Sequence, residues 1–284
     1  MIRDMKIRAA KCISRVVLLT VLLTGCGSGV TIPDMSSMGE ITVVSRENGS
    51  GTKAEFENLI GTDAMGTDKI AESTDAMIDM VVDDSNAIGY AAFSSLSDTS
   101  GTKILKVEGV YPDADSINKG SYKLRRNYSL VHVGETSELE DDFLRYVKTD
   151  GQRIVEGYCV AVSQPSTFLS DKPSGTLTIH GSTSVAPIVK KLAKAYMKVN
   201  TGAKIEVTVS DSTQGINDTL QGKCDLGMVS RSLQSYEKEL LTEDVFGRDA
   251  IAVVVGQSNP LDNTSVDTLK KIYDKEYLNW TDIK

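Results

Sequence analysis

The stretch SRENGSGT (45–52) lies between a strand pattern and a helix pattern and contains two glycines and three hydroxyl residues. The apolar run ITVVS (41–45) leads into it and predicts a short strand. Apolar residues at the spacing of one helix face follow it: Ala54, Phe56, Leu59 and Ile60. Glycine lets a ligand approach the backbone closely, and the first N–H groups of a helix have no partner within the helix. We therefore interpret the stretch as a turn that presents hydrogen-bond donors at a helix start.

Two later stretches repeat this arrangement. GSTSVAP (181–187) follows the strand pattern GTLTI, SDSTQG (210–215) follows IEVTV, and each precedes a helical pattern. A helix start carries about half a positive charge, so three of them together favour an anion-binding site. The alternative, that each Ser or Thr only caps its own helix, stays open on the sequence alone.

Strand and helix patterns alternate along the rest of the chain. AIGYAAF (87–93) and AIAVVV (250–255) predict buried strands, and residues 138–158 predict a helix. This alternation indicates an α/β fold in which helices cover mostly parallel sheets.

The N-terminus predicts export. Basic residues precede the apolar run VVLLTVLL (16–23), and Leu23-Thr24-Gly25-Cys26 follows in the manner of a bacterial lipobox. The apolar run is too short to span a bilayer. The prediction is a signal peptide over 1–25, acylation of Cys26, a tether over 26–40 and a lipid-anchored protein on the extracytoplasmic face of the cell membrane.

Charge and composition exclude several functions. The chain has 284 residues and a formal net charge of −8, which argues against a nucleic-acid partner because phosphate-backbone binding needs basic surface. The chain has only two histidines, His132 and His180, and it lacks a GxSxG motif and the spacing of zinc ligands. We therefore predict that the protein binds no metal, needs no cofactor and is not an enzyme. GSGTK lacks the order of a nucleotide phosphate loop. Cys159 and Cys224 are left either as one disulfide or as two free thiols.

Five longer motifs carry a family resemblance. They are ITVVSRENGSGTKAEFENL, NAIGYAAFSSL, GSTSVAPIVKKLAKAYMKVN, SDSTQGINDTLQGKCDLGMVSRSL and AIAVVVGQSNPLDNTSVDTLKKIY with a later NW. The chain resembles the PstS-like phosphate-binding proteins of bacterial phosphate ABC transporters over most of residues 41–284. The resemblance implies a two-lobed periplasmic-binding-protein fold of type II. Each lobe would be a mixed, mostly parallel sheet flanked by helices, with the ligand cleft between the lobes. It also implies a monomer that captures inorganic phosphate and delivers it to permease subunits.

The order of the motifs is unusual for that family, because the half with SRENGSGT precedes the half with GSTSVAP. We interpret this as circular permutation, with 163–175 as the linker that joins the family's usual ends. One lobe would then combine 41–118 with 256–284, and the other would span 119–255. An incomplete chain or one half of a swapped dimer would give the same order.

Position by position, the resemblance implies the residues that bind phosphate. They are Thr183, Ser184, Ser212 and Ser230 from one lobe and Arg46, Ser50, Gly51 and Thr52 from the other, with Ser182, Arg231 and Asn48 as further candidates. Ser230 stands where many members carry an aspartate that accepts the proton of hydrogen phosphate, which leaves selectivity against sulfate open. Asn48 stands where an acid often pairs with the arginine.

Alternatives to phosphate uptake follow from Ser230 and from the fold. One is a binding protein for another tetrahedral oxyanion, such as sulfate or molybdate. The other is a signalling or adhesion lipoprotein that kept the fold without the transport function. An enzyme ranks last, because no metal set or nucleophile set is recognisable.

Overall fold

The structure is a computed structural model that describes residues 32–63, 65–96 and 101–284. The predicted signal peptide, Cys26 and the first part of the predicted tether lie outside these residues. Within the described ranges, no helix has both the length and the apolar character that crossing a membrane requires.

The described residues form α-helices and β-strands in alternation, as the sequence patterns predict. The strands are β1 (Thr42–Arg46), β2 (Lys69–Ala71), β3 (Ala87–Ala92), β4 (Thr102–Ile104), β5 (Lys106–Val107), β6 (Arg125–His132), β7 (Val160–Ala161), β8 (Gly175–Ser182), β9 (Ala203–Ser210), β10 (Leu226–Val229), β11 (Thr242–Gly256) and β12 (Asn263–Thr264). The helices are α1 (Gly51–Ile60), α2 (Thr74–Val82), α3 (Ala114–Lys119), α4 (Glu138–Lys148), α5 (Gln152–Val155), α6 (Ala186–Val199), α7 (Ser212–Leu220), α8 (Ser235–Leu240) and α9 (Val266–Tyr273).

Strand β11 pairs with four other strands of the sheet. The strand order is β2-β1-β3-β11-β6-β10-β8-β9, with β4 and β7 also paired to β11. β1 runs parallel to β2 and β3, and β8 runs parallel to β9 and β10. β11 is antiparallel to β3, β4, β6 and β7. The sheet is therefore mixed, as the family resemblance implies, and the antiparallel pair β11 and β6 lies between its two parallel groups.

The apolar side chains pack into separate cores that define two lobes. The first lobe takes its core from residues 35–124 and 250–283, and the second takes its core from 128–246. Within the described residues the chain passes between these cores on β6 and on β11, which pair with Arg126 opposite Asp249. We call this two-stranded crossing the hinge. The lobe boundaries predicted at 118/119 and 255/256 stay a prediction.

The helix predicted over 138–158 is wrong as a single element. α4 ends at Lys148, and Thr149 has φ −117° and ψ −104°, which is not helical. Gly151 then starts the short helix α5, and a Cβ at that position would lie 2.8 Å from the carbonyl oxygen of Tyr146. The non-helical backbone of Thr149 therefore divides the predicted helix in two. Cys159 and Cys224 are free thiols in the structure, and burial raises the pKa of both.

Trp280 anchors the segment at the C-terminal end of the first lobe. Its ring is fully buried, and its indole N–H donates to the carbonyl oxygen of Asn86 at 3.1 Å. The neighbouring backbone pairs with residues 39–41, since Ile41 N–H donates to the Leu278 carbonyl oxygen at 2.7 Å. The two ends of the described chain are thus fastened together in one lobe.

Candidate functional site

The three helix starts singled out by the sequence differ in how they are capped. Ser50 caps α1 and Asp211 caps α7, because each side chain accepts from a backbone N–H three residues on. α6 has no side-chain cap. The hydroxyls of Thr52, Ser184 and Ser212 therefore do not serve as N-caps, which was the alternative left open above.

These hydroxyls instead meet between the lobes. We call them the hydroxyl cluster; its members are all at least 95% buried and are Thr52, Ser182, Ser184, Ser212 and Ser230. Thr52 Oγ1 lies 3.1 Å from Ser184 Oγ, which joins the first lobe to the second. Within the second lobe, Ser230 Oγ accepts from Ser182 Oγ at 2.9 Å and lies 3.2 Å from Ser212 Oγ. Five small donors from four separate chain segments thus converge.

Gly51 fits tightly against this cluster. A Cβ at Gly51 would lie 2.1 Å from Ser212 Oγ and 2.7 Å from Ser230 Oγ, far inside van der Waals contact. Gly51 is the first residue of α1 and belongs to the first lobe, whereas both serines belong to the second. Any side chain at Gly51 would therefore push the two lobes apart.

Arg46 is buried at the end of β1 and is only partly satisfied. Its Nε and Nη2 donate to the Glu47 carboxylate at 2.8 Å and 2.9 Å, and Nε also donates to the Ala71 carbonyl oxygen. Its Nη1 is buried and has no hydrogen-bond partner among the described residues. A buried donor left without a partner is rare in proteins and indicates a group that a ligand can satisfy.

Arg126 carries a second buried guanidinium and was not among the predicted phosphate-binding residues. Its Nη1 donates to Thr52 Oγ1 at 2.8 Å and to the Ser230 carbonyl oxygen at 3.2 Å. Arg126 therefore contacts one member of the hydroxyl cluster in each lobe. Its Nη2 forms an ion pair with Asp249 Oδ2 at 3.0 Å. Burial opposes its charge, but Tyr128 and Asp249 outweigh burial and raise the pKa of Arg126.

A pattern in the sequence points to Arg126 in retrospect. In RRNYSLVH (125–132), Arg126 shares one face of a strand with Tyr128 and Leu130, since side chains alternate along a strand. That face is buried. A charged residue on a buried face needs a partner or a ligand. This requirement could have identified Arg126 as a candidate from the sequence.

The other predicted residues have different surroundings. Ser50 is used as the α1 cap, and Thr183 lines a groove of about 340 Å³ beside the cluster. Asn48 is exposed, and its Oδ1 accepts from Lys53 Nζ at 3.0 Å. Arg231 donates both Nη atoms to Glu237, at 2.7 Å and 2.8 Å. Burial raises the pKa of Glu237, but the Arg231 hydrogen bonds outweigh it and leave the pKa lowered.

A further contact joins the lobes next to the cluster. Glu55, on the second turn of α1, is 4% exposed. Its carboxylate accepts from Ser232 N–H at 2.7 Å and from Ser232 Oγ at 3.0 Å. Because Glu55 and Ser232 belong to different lobes, this pair closes the cleft on one side.

The arrangement offers hydrogen-bond donors and positive charge at one buried place. Guanidinium forks and hydroxyls complement a tetrahedral oxyanion, and the hydroxyls now bonded to one another are free to turn toward such a ligand. Within the described part of the chain, no group of three or more His, Cys, Asp or Glu side chains is placed to hold a metal ion.

Two lobes joined by two strands, with a polar cluster between them, define a periplasmic-binding-protein fold. In agreement, the sequence profile described as PBP superfamily domain matches residues 34–150 and 166–283. The chain is 34% identical over 275 residues to a protein named phosphate-binding protein PstS 2 from Streptococcus pneumoniae, covering 92% of this chain and 94% of that protein. A namesake from Streptococcus agalactiae is 34% identical over 278 residues, with coverages of 92% and 93%.

A solved structure supports the same relationship. The crystal structure of a phosphate-binding protein of a phosphate ABC transporter from Streptococcus pneumoniae superimposes with a TM-score of 0.72 and 33% identity. The match covers 87% of this chain and 100% of that one. The chain therefore belongs to the PstS family within the PBP superfamily.

The streptococcal match also bears on the order of the two halves. A single alignment covers nearly all of both chains, so the two halves follow the same order in that relative as here. The order is therefore shared with at least this part of the family. Circular permutation relative to other members stays a prediction.

Proposed function

We propose that the protein is an extracytoplasmic receptor for inorganic phosphate that serves an ABC transporter and has no catalytic step. The observation that carries the proposal is the contact of Thr52 with Ser184 across the cleft, with the Arg126 guanidinium bonded to Thr52. Donors from both lobes and a buried positive charge meet there, which is what the capture of an oxyanion requires. The streptococcal relatives named as phosphate-binding proteins support phosphate as the ligand.

In this proposal, Arg46 and Arg126 supply the charge and the hydroxyl cluster supplies orientation. The unpartnered Nη1 of Arg46 donates to one phosphate oxygen, and the hydroxyls and the first N–H groups of α1 and α6 donate to the others. The proposed phosphate site also includes Ser50, Gly51 and Thr183, which contribute backbone N–H groups and hydroxyls. Phosphate thereby bridges the lobes and stabilises the closed arrangement.

Isothermal titration calorimetry of the purified protein with phosphate, sulfate and molybdate tests the proposal. We expect sub-micromolar binding of phosphate and its loss in Arg46→Ala. The control is Arg153→Ala, because Arg153 is exposed and forms its ion pair with Asp150 on the surface. If the wild-type protein binds none of the three anions, the proposal is wrong and the signalling or adhesion role is favoured.

Another tetrahedral oxyanion is the second candidate, and Ser230 is the observation in its favour. Ser230 Oγ lies inside the hydroxyl cluster and is neutral, so no carboxylate at this position repels a fully ionised anion such as sulfate. The same titrations separate the two candidates. Sulfate or molybdate binding at least tenfold tighter than phosphate would assign the site to that anion.

Attachment and delivery complete the proposal. We place the protein on the outer face of the cell membrane, held by acylated Cys26, from where it passes phosphate to the permease subunits. Metabolic labelling with a fatty-acid analogue in a bacterial host tests the attachment, and Cys26→Ser is expected to lose both the label and membrane association. Retention of the label in Cys26→Ser would disprove the assignment.

We further propose that the working unit is a monomer, because one chain supplies both sides of the hydroxyl cluster. Light scattering of the purified protein is expected to give a mass close to that of one chain, which is 30.7 kDa in full length. An obligate dimer would contradict this and would favour exchange of segments between copies.

A further inference from the structure

A cavity of about 480 Å³ lies beside the hydroxyl cluster at the junction of the two lobes. Its lining is strongly basic and consists of Glu55, Arg125, Arg126, Asn127, Val162, Ser232, Val245 and Arg248. Arg126 belongs both to this lining and to the hydroxyl cluster, which it contacts through Thr52. Arg126 is therefore shared by the cavity lining and the proposed anion site.

Two of the three arginines have no counter-ion in the part of the chain that the structure describes. Arg126 is paired with Asp249, but neither Arg125 nor Arg248 has a carboxylate oxygen within 4.0 Å among the described residues. Arg248 Nη1 makes only a long contact, 3.4 Å, with the Asn118 amide oxygen. Glu55, the acidic member of the lining, has both carboxylate oxygens occupied by Ser232.

The strand pairing brings these two charges together. Asn127 lies opposite Arg248 and Arg125 lies opposite Ala250 on the antiparallel pair β6 and β11, so Arg125 and Arg248 are diagonal neighbours on one face. A chain with a net charge of −8 has carboxylates in excess, yet this pair of guanidiniums is left uncompensated. An approaching anion is a counter-ion for both guanidiniums.

We infer that this cavity is a capture site for inorganic oxyanions, in which Arg125 and Arg248 attract hydrated phosphate to the junction of the two lobes. The inference rests on the proposed function. A basic, low-dielectric cavity raises the local concentration of anions and can accelerate association by tenfold or more. Here it offsets the repulsion that a protein of net negative charge exerts on phosphate. The site raises the association rate constant and makes no contact with phosphate in its final position.

Stopped-flow association of inorganic phosphate tests the inference, with an environment-sensitive dye on Asp75→Cys as reporter, because Asp75 is exposed and lines the same groove as Thr183. In the variant Arg125→Gln/Arg248→Gln, the association rate constant at about 20 mM salt is expected to fall roughly tenfold. At about 0.5 M salt the difference is expected to shrink below about twofold, because the screening length falls to a few ångströms. The dissociation rate constant is expected to stay within about twofold of the parent protein.

The control Lys194→Gln/Lys204→Gln makes the same change in net charge at exposed positions outside the cavity lining. It is expected to associate at nearly the parent rate. Equal association rates for the arginine variant and the parent at low salt would overturn the inference. A change that appears in dissociation and persists at high salt would also overturn it, because that pattern indicates a structural role. If the parent protein itself binds no phosphate, it is the proposed function that fails, before the variants are compared.

Discussion

Two buried arginines, Arg46 and Arg126, each pair with a carboxylate, but the two pairs are built differently. Arg46 pairs with Glu47, its neighbour in sequence, whose side chain is 26% exposed. Arg126 pairs with Asp249, 123 residues away on the adjacent strand, and both side chains are almost completely buried. Arg46 therefore belongs to one lobe, and its partner stays partly in water. Arg126 lies where the lobes join. The pairing of β6 with β11 holds its counter-ion, Asp249, beside it.

The largest expected effect comes from breaking the hinge pair. Arg126→Met leaves the Asp249 carboxylate buried without its counter-ion, and we expect the free energy of unfolding to fall by about 3–5 kcal/mol. Urea denaturation followed by circular dichroism measures it. Replacing both partners, as in Arg126→Met/Asp249→Leu, is expected to recover most of the stability, because a buried ion pair can be exchanged for apolar packing at little cost. The recovered variant is still expected to bind phosphate weakly. A loss below about 1 kcal/mol in Arg126→Met would show that the pair is dispensable for folding.

Arg46 is expected to matter more for the ligand than for the fold. In Arg46→Met, the dissociation constant for phosphate is expected to rise by about 100-fold, equivalent to about 2–3 kcal/mol for lost hydrogen bonds to a charged group. The unfolding free energy is expected to fall by less than about 2 kcal/mol, because Glu47 can be solvated. Calorimetry and urea denaturation of the same preparation compare the two quantities. The comparison with Arg126 breaks down if Arg46→Met loses stability and keeps affinity.

Gly51 tests whether the two arginines must be brought together by closure. In Gly51→Ala, the added methyl group would collide with Ser212 and Ser230, so we expect the lobes to stay apart and the dissociation constant to rise about tenfold. Small-angle scattering with saturating phosphate is expected to show a larger radius of gyration than for the wild-type protein. Gly202→Ala is the control, because a Cβ there meets its neighbours at ordinary distances of 3.5 Å or more. Unchanged affinity in Gly51→Ala would mean that the lobes need not approach this closely.

Glu55 is expected to give the smallest effect. In Glu55→Gln, neutral hydrogen bonds to Ser232 replace charge-assisted ones, and we expect phosphate to dissociate about threefold faster. Release of labelled phosphate into excess unlabelled phosphate measures the rate. Glu57→Gln makes the same charge change two residues further along α1 and is expected to leave the rate unchanged. Equal rates for all three proteins would exclude a latch between Glu55 and Ser232.

Local patterns in the sequence predicted local structure well. The strand and helix on either side of residues 45–52 are confirmed as β1 and α1, because apolar spacing alone determines which face is buried. The convergence of Thr52 with Ser184 was implied only by the family resemblance, since the two residues are 132 positions apart. The role of Arg126 was missed because it depends on which strand lies beside β6. The break after Lys148 was missed because it depends on the backbone angles of Thr149, which apolar spacing does not reveal.

The position of Trp280 determines how binding can be observed. It is the single tryptophan of the chain, and its indole ring is buried in the first lobe with its N–H bonded to Asn86 of the same lobe. A hinge motion moves the lobes as bodies and leaves this environment unchanged. Tryptophan emission is therefore expected to stay constant in wavelength and intensity during a phosphate titration, while it shifts to the red on unfolding. Intrinsic fluorescence would then report the integrity of the first lobe independently of ligand occupancy, and a stable signal in the binding variants would certify that they are folded.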